Sequence, residues 1–154
     1  MRLSNQTNNA VKVLVHCAQA GGRIVTVPDI ATSCGITEFN VFKLVPLLVK
    51  AGLLETIRGR SGGVRLNLAA EDISLGAVVR ATESVFRESE SSETEAGDTG
   101  ADYSRMIDGA FLAFVEFLDQ KSIAELADLE HTPADAASPQ TDRPGSSAKT
   151  GMPK

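Results

Sequence analysis

Residues 35–66 read GITEFNVFKLVPLLVKAGLLETIRGRSGGVRL, and this stretch decides the fold: a capped helix, a glycine stop, a strand, a basic glycine turn and a second strand. Thr37 can cap a helix whose first turn carries Glu38, an acid placed where the helix dipole favours negative charge. Gly52 ends that helix. At about 100° per residue, Val41, Leu44, Val45 and Leu48 share one face and are expected to bury. Lys43 and Lys50 project from the opposite face with Phe39 and Pro46, and Asn40 and Phe42 lie on its flanks. Lysines, an amide and exposed aromatics can meet phosphates, an adenine edge and thymine methyls. A solvated helix with two ordinary lysines is the plainer alternative. Pro46 removes one hydrogen bond inside the helix, so a bend is expected there.

The β-rich segments containing Leu54, Thr56, Val64 and Leu66 frame the turn Arg58-Gly59-Arg60-Ser61-Gly62-Gly63, the pattern of a hairpin. Three arginines (Arg58, Arg60, Arg65) around three glycines give a ribbon whose backbone can approach a phosphate chain or minor groove. A plain basic hairpin is the alternative for the turn in isolation. A helix and a basic wing separated by a few residues make nucleic acid the favoured partner.

Working outward, Ser4 or Asn5 can open a first helix to about Ala20, with Val11, Leu14, Val15 and Ala18 as its buried stripe and Gly21-Gly22 as its stop. Arg2, Ser4, Gln6, Thr7 and Lys12 give it a polar, basic start able to reach phosphate. His16 lies off the stripe and reads as a solvated histidine. Arg23 to Val27 form an extended link, and Pro28 starts a second helix that buries Ile30, Ala31 and Cys34. With the turn at Gly35-Ile36, the second and third helices make a helix-turn-helix whose later member suits a major groove.

Downstream of the wing, Ser74 caps a helix from Leu75 to about Val85, with Leu75, Val78, Val79 and Thr82 inward. Residues 87–102 hold almost nothing apolar and read as a mobile acidic loop. From Tyr103 to Gln120, Tyr103, Met106, Ile107, Ala110, Phe111, Phe114, Phe117 and Leu118 follow helical spacing on one broad face. Leu112 and Val115 add a second apolar strip that one small domain would leave uncovered, which points to a homodimer. Met106, Ala110, Leu112, Phe114 and Val115 are the candidate dimer residues. Ser122 and Glu125 form a capping box for a short helix to Leu129, and the proline-rich stretch 131–154 reads as a disordered tail.

The 154 residues, 42% of them apolar, suffice for one moderate core. The net charge of -5 hides a partition. Residues 1–68 carry eight Lys and Arg against three Asp and Glu, whereas residues 69–130 carry four against fifteen. A basic half can touch a polyanion while the acidic half stays away. No apolar run approaches the roughly eighteen residues of a membrane span, and the opening residues lack a signal peptide's apolar core, so a cytoplasmic location without membrane contact is expected. Cys17 and Cys34, the two cysteines, show neither CxxC nor Cys/His spacing, so neither a disulfide framework nor a zinc site is indicated.

The opening MRLSNQTNNAVKVL together with VPDIATSCGITEFNVFKLVPLLVKAGLLETIRGRSGGVRL and DISL resembles the Rrf-two family of bacterial winged-helix regulators, from Met1 to about Glu83. Its likeness is greatest to the rhizobial iron regulator branch, akin to the iron–sulfur cluster regulator. The resemblance implies dimeric transcription factors on palindromic operators. It places Thr37, Glu38, Asn40 and Lys43 at the major groove, and Arg58, Arg60, Ser61, Gly62 and Gly63 at the wing. Arg2 and Lys50 join them as expected backbone contacts. Cluster-bearing relatives hold iron with three cysteines between the fourth helix and the long helix, but this sequence has none from Phe86 to Tyr103. No cofactor and no metal are therefore expected.

The expected fold class is mainly α with a small β-hairpin wing. Its expected divisions are a winged helix-turn-helix over 1–85, an acidic loop over 86–102, a dimerisation helix and short helix over 103–130, and a tail over 131–154. The expected function is a sequence-specific regulator, a repressor, binding double-stranded DNA as a homodimer. No Ser/His/Asp set, nucleotide loop or metal-ligand cluster can be assembled, so no catalytic residue is assigned. A winged-helix protein adaptor, or a regulator switched by a thiol at Cys34 or by a partner protein, are the alternatives.

Overall fold

The computed structural model describes residues 2–83 and 99–131. The acidic segment up to residue 98 and the tail from residue 132 lie outside the described residues. Among the described residues the chain is mainly helical with one two-stranded hairpin.

Helix α1 (Asn5–Gln19) is capped by Ser4, whose hydroxyl accepts the Thr7 N–H at 3.2 Å. It buries Thr7, Ala10, Val13, Leu14, Val15 and Cys17. This face is broader than the expected stripe, and Val11 and Ala18 are only partly covered, because other helices pack on α1 from several sides. Helix α2 (Val27–Cys34) starts one residue before Pro28, with Thr26 as its cap, its hydroxyl accepting from the Asp29 N–H. Gly35 then turns the chain with φ 63°, a left-handed conformation that glycine adopts without steric penalty.

Helix α3 (Glu38–Lys50) has Thr37 as cap and buries Val41, Leu44 and Leu48. It runs unbroken through Pro46. The proline and Phe42, whose carbonyl loses its helical N–H partner there, are both exposed.

Strands β1 (Leu54–Ile57) and β2 (Gly63–Leu66) pair antiparallel, Leu54 opposite Leu66 and Ile57 opposite Gly63. The expected extended link contributes a third piece: Val25 exchanges two backbone hydrogen bonds with Val64, at 2.8 and 2.9 Å. The wing is thereby tied to the start of α2.

Helix α4 (Leu75–Thr82) is capped by Ser74 and ends three residues before the expected Val85. Helix α5 (Thr99–Leu118) starts four residues before Tyr103, so the end of the expected loop is helical. Helix α6 (Ile123–His131) follows, with the Ser122 hydroxyl accepting the Glu125 N–H at 3.2 Å. The capping box is half realised: the Glu125 carboxylate meets Lys121 Nζ at 3.4 Å. Ile123 and Ile73 are fully buried in the same cluster as Leu14, Ile30, Leu48 and Leu54. The last helix therefore completes the winged-helix core instead of extending from it.

The expected faces of the long helix are corrected. Tyr103, Met106, Ile107 and Phe117, on the face read as the broad apolar one, are exposed. Val115, read as part of the uncovered strip, is 0% exposed. The C-terminal part of α5 meets α4, where Gly76 offers no side chain and lets the Val115 carbonyl and Asp119 approach closely.

Candidate nucleic-acid interface

The starts of α1 and α3 come together to form one surface. Asn5, Gln6 and Asn9 on α1 face Thr37, Asn40 and Lys43 on α3 across an open groove of about 690 Å³. Arg2 lies beside it, sharing a shallow hollow with Asn5 and Asn8. Neither Asn5, read only as a possible helix cap, nor Asn9 is expected from the sequence to contact DNA, although their spacing of four on a helix places them on one face.

Along α3, Thr37 spends its side-chain oxygen on the Asn40 N–H at 3.3 Å, so the cap is a structural role whatever else its hydroxyl meets. Glu38, Phe39, Phe42 and Lys43 are exposed and Asn40 is half-buried. The Lys43 ammonium lies 4.4 Å from the centre of the Phe39 ring, a cation–π pair one turn apart. Lys50, in the last turn, stands roughly 10 Å along the axis from Lys43 at 1.5 Å per residue. A cation there also complements the helix dipole.

At the wing, Arg58, Arg60 and Ser61 are exposed at the hairpin tip. Arg65 differs from its two neighbours: its Nε donates to Glu55 across the strands at 2.6 Å. Gly59 holds φ 118°. Gly62 and Gly63 are required for another reason, close approach within the wing itself. A side chain on Gly62 would come within 2.6 Å of the Ile57 carbonyl, and one on Gly63 within 2.3 Å of the Val25 carbonyl.

A carboxylate links this surface to the end of α4. Glu83 accepts hydrogen bonds from the Ser4 N–H at 2.8 Å and from the Thr7 hydroxyl. Burial opposes its charge, but the bonds from Thr7 and Ser4 prevail and hold its carboxyl below the usual range. The Thr82 hydroxyl completes the network, 2.7 Å from that of Thr7 and 2.8 Å from the Val78 carbonyl. On the far side of α4, Arg80 forks onto Asp119 at 2.8 and 2.5 Å, and Ser74 donates to the same carboxylate at 2.9 Å. These hydrogen bonds hold Asp119 below its ordinary pKa.

A comparison with known families matches residues 3–129 to Rrf2, described as an iron-dependent transcriptional regulator. The chain belongs to the Rrf2 family. The match extends past Glu83 through the long helix and most of α6. Protein aau3 of Rhizobium meliloti is 48% identical over 86 residues, 56% of either chain. The chain thus spans about half the length of that relative. The HTH-type transcriptional regulator NsrR of Bacillus licheniformis is 33% identical over 131 residues, covering 82% of this chain and 92% of that one. Among solved structures, T. potens IscR matches 90% of this chain and 94% of its own with a TM-score of 0.67 at 22% identity, a likeness of fold. The oxidized form of Staphylococcus aureus CymR matches 83% and 97%, with a TM-score of 0.59 at 28% identity. Rrf2 proteins are transcriptional regulators, not enzymes.

For an Rrf2 protein, the thiols present do not fit an iron–sulfur cluster held by three cysteines. The sequence has two. Cys17 is buried and its pKa is pushed up to about 12, first by burial and then by Cys34 nearby, which keeps it protonated and a poor ligand. Cys34 is half-buried at the end of α2, its thiol donating to the Lys12 carbonyl at 3.5 Å. Among the described residues no group of three or more His, Cys, Asp and Glu is placed to hold a metal ion. Nor is any described helix long and apolar enough to cross a membrane.

Proposed function

We propose that this Rrf2 protein is a sequence-specific DNA-binding regulator that represses transcription as a homodimer on a palindromic operator, without an iron–sulfur cluster. The observation that carries this reading is the shared surface. The exposed side of α3 and the polar start of α1 share one groove, and together with the exposed arginine tip of the wing they supply groups that pair with base edges and phosphates. Arg2, Lys50, Arg58, Arg60 and Ser61 position the backbone, and Asn40 and Lys43 read bases, with Thr37 and Glu38 at the groove edge. Gly62 and Gly63 shape the wing. Residues 1–85 supply this surface, with α6 packed against them. Residues 103–130 supply the dimer contact through Met106, Ala110, Leu112 and Phe114, three of them exposed and Phe114 half-buried.

The sequence resemblance over residues 1–83, within a family described as an iron-dependent transcriptional regulator, supports a place near the rhizobial iron regulator branch. The missing thiolates separate the chain from cluster-bearing relatives. Selection of fragments from a genomic DNA library by the purified full chain tests the proposal. It should recover a palindrome bound with steep salt dependence, because each neutralised phosphate releases counterion. A protein that retains no duplex, or one whose interactions are insensitive to salt, would favour an adaptor. Anaerobic reconstitution with iron and sulfide should leave the protein colourless after desalting, and retained stoichiometric iron and sulfide would overturn the cluster-free reading.

A further inference from the structure

Two phenyl rings stand in solvent one turn apart on α3. Phe39 is 65% exposed and Phe42 61%, on a helix that buries Val41, Leu44 and Leu48 behind them. Neither belongs to the core cluster or to the apolar side chains packed against it. Lys43 occupies one face of Phe39 at 4.4 Å, so the apolar patch carries a positive charge within it. Lys43 and Asn40 on the same helix also line the groove shared with the polar start of α1, and Arg58 and Arg60 are exposed at the wing tip. The acids nearby in sequence are Glu38, in the first turn, and Glu55, which Arg65 already holds.

This mixture specifies its occupant. An apolar protein surface would complement the rings and leave the cations without counter-charge. A phosphate chain alone would complement the cations and leave the rings in water. Duplex DNA offers both, because its major groove is flanked by phosphates and carries one kind of large apolar projection, the C5-methyl group of thymine. The bases themselves are stacked, so a ring entering the groove meets methyls at their edges and no base face.

We infer that Phe39 and Phe42 are specificity-determining residues that recognise pyrimidine C5-methyl groups in the operator. This rests on the DNA-binding reading and deepens it. What is read at these positions is the methyl group and not the hydrogen-bonding edge of the base. Deoxyuridine, which lacks only that group, is discriminated against, and 5-methylcytosine partly replaces thymine, because it carries the same group at the same place.

The experiment uses the full-length protein and the duplex it selects from genomic DNA. Each thymine of a half-site is replaced singly by deoxyuridine, and binding is measured at fixed salt. At one or more positions affinity should fall about three- to fivefold, the ratio expected for one buried methyl-sized group. Cytosine at such a position should bind more weakly than 5-methylcytosine. Phe39→Ala and Phe42→Ala, at exposed positions that leave the fold intact by circular dichroism, should bind the thymine duplex more weakly and lose the discrimination. A protein that binds a selected operator but treats uracil and thymine alike at every position would overturn this inference alone. So would both alanine variants retaining full discrimination. A protein that retains no duplex even at low salt would overturn the DNA-binding reading together with it.

Discussion

The carboxylate of Glu83 accepts the backbone N–H of Ser4 at 2.8 Å, joining the end of α4 to the start of α1 across 79 positions of sequence. Because its folded pKa is depressed, Glu83 binds protons less readily in the folded chain than in the unfolded one. Its contribution to stability is therefore complete above the unfolded carboxylate pKa, near 4.3, and is lost as pH falls through the lower folded value. Urea unfolding of the native protein and Glu83→Gln should differ most at neutral pH, with the native protein the more stable. The difference should shrink as the medium is acidified below the ordinary carboxylate range. A gap independent of pH would mean that charge on Glu83 contributes nothing.

Gly63→Ala tests whether that glycine serves the wing or its ligand. A Cβ there would stand 2.3 Å from the Val25 carbonyl and 2.8 Å from Ile24 Cγ2, so the Val25–Val64 pairing must open or shift. Forcing atoms into a packed site typically costs about 1 to 3 kcal/mol. The variant should therefore melt earlier in the absence of DNA. A Gly63→Ala protein of unchanged stability with weakened DNA binding would reverse this assignment.

The contrast between these two sites explains what the sequence could disclose. The caps at Ser4, Thr37, Ser74 and Ser122 are local, each needing a hydroxyl and an N–H three residues on, and all four were legible. The inward face of α3 was legible because its polar and apolar sides separate. The close packing at Gly63 gave no signal, because the atom that constrains it is a carbonyl far upstream. Arg65 sits opposite Glu55 in the strand register, so its pairing could have been found by aligning the hairpin. Glu83 and Asp119 gave no signal, since a partner on another helix has no fixed spacing. The long helix failed differently. Its apolar residues occupy nearly every side, so periodicity left open which strip meets α4, and Gly76 on the neighbouring helix decided it.

Leu112 and Val115, read from the sequence as one strip of α5, now make opposite predictions. Leu112 is 50% exposed and Met106 76%, whereas Val115 is wholly buried. Leu112→Glu should leave the unfolding midpoint of the isolated subunit nearly unchanged while shifting sedimentation toward monomer and weakening binding to a palindrome. Val115→Ala should instead destabilise the subunit, by roughly 1 to 3 kcal/mol for a truncated core side chain. Persistence of a tight dimer in Leu112→Glu would remove this strip from the proposed interface.

Arg60 and Asn40 divide affinity from specificity at the proposed DNA surface. Arg60 is exposed at the hairpin tip without an ion-pair partner among the described residues, and a phosphate contact from such a site carries no sequence information. Arg60→Ala should weaken operator and random duplex alike and lower the slope of log affinity against log salt by about 1. Asn40 lines the groove between α1 and α3, and its amide can pair with both N6 and N7 on the major-groove edge of an adenine. Asn40→Ala should cost roughly 1 to 3 kcal/mol on the preferred site, with little change on random duplex or in the salt slope. Titrations of both variants on both duplexes at several salt concentrations separate the two effects. Unchanged operator affinity in both variants at physiological salt would mean that this face of α3 and the wing tip do not dock on DNA.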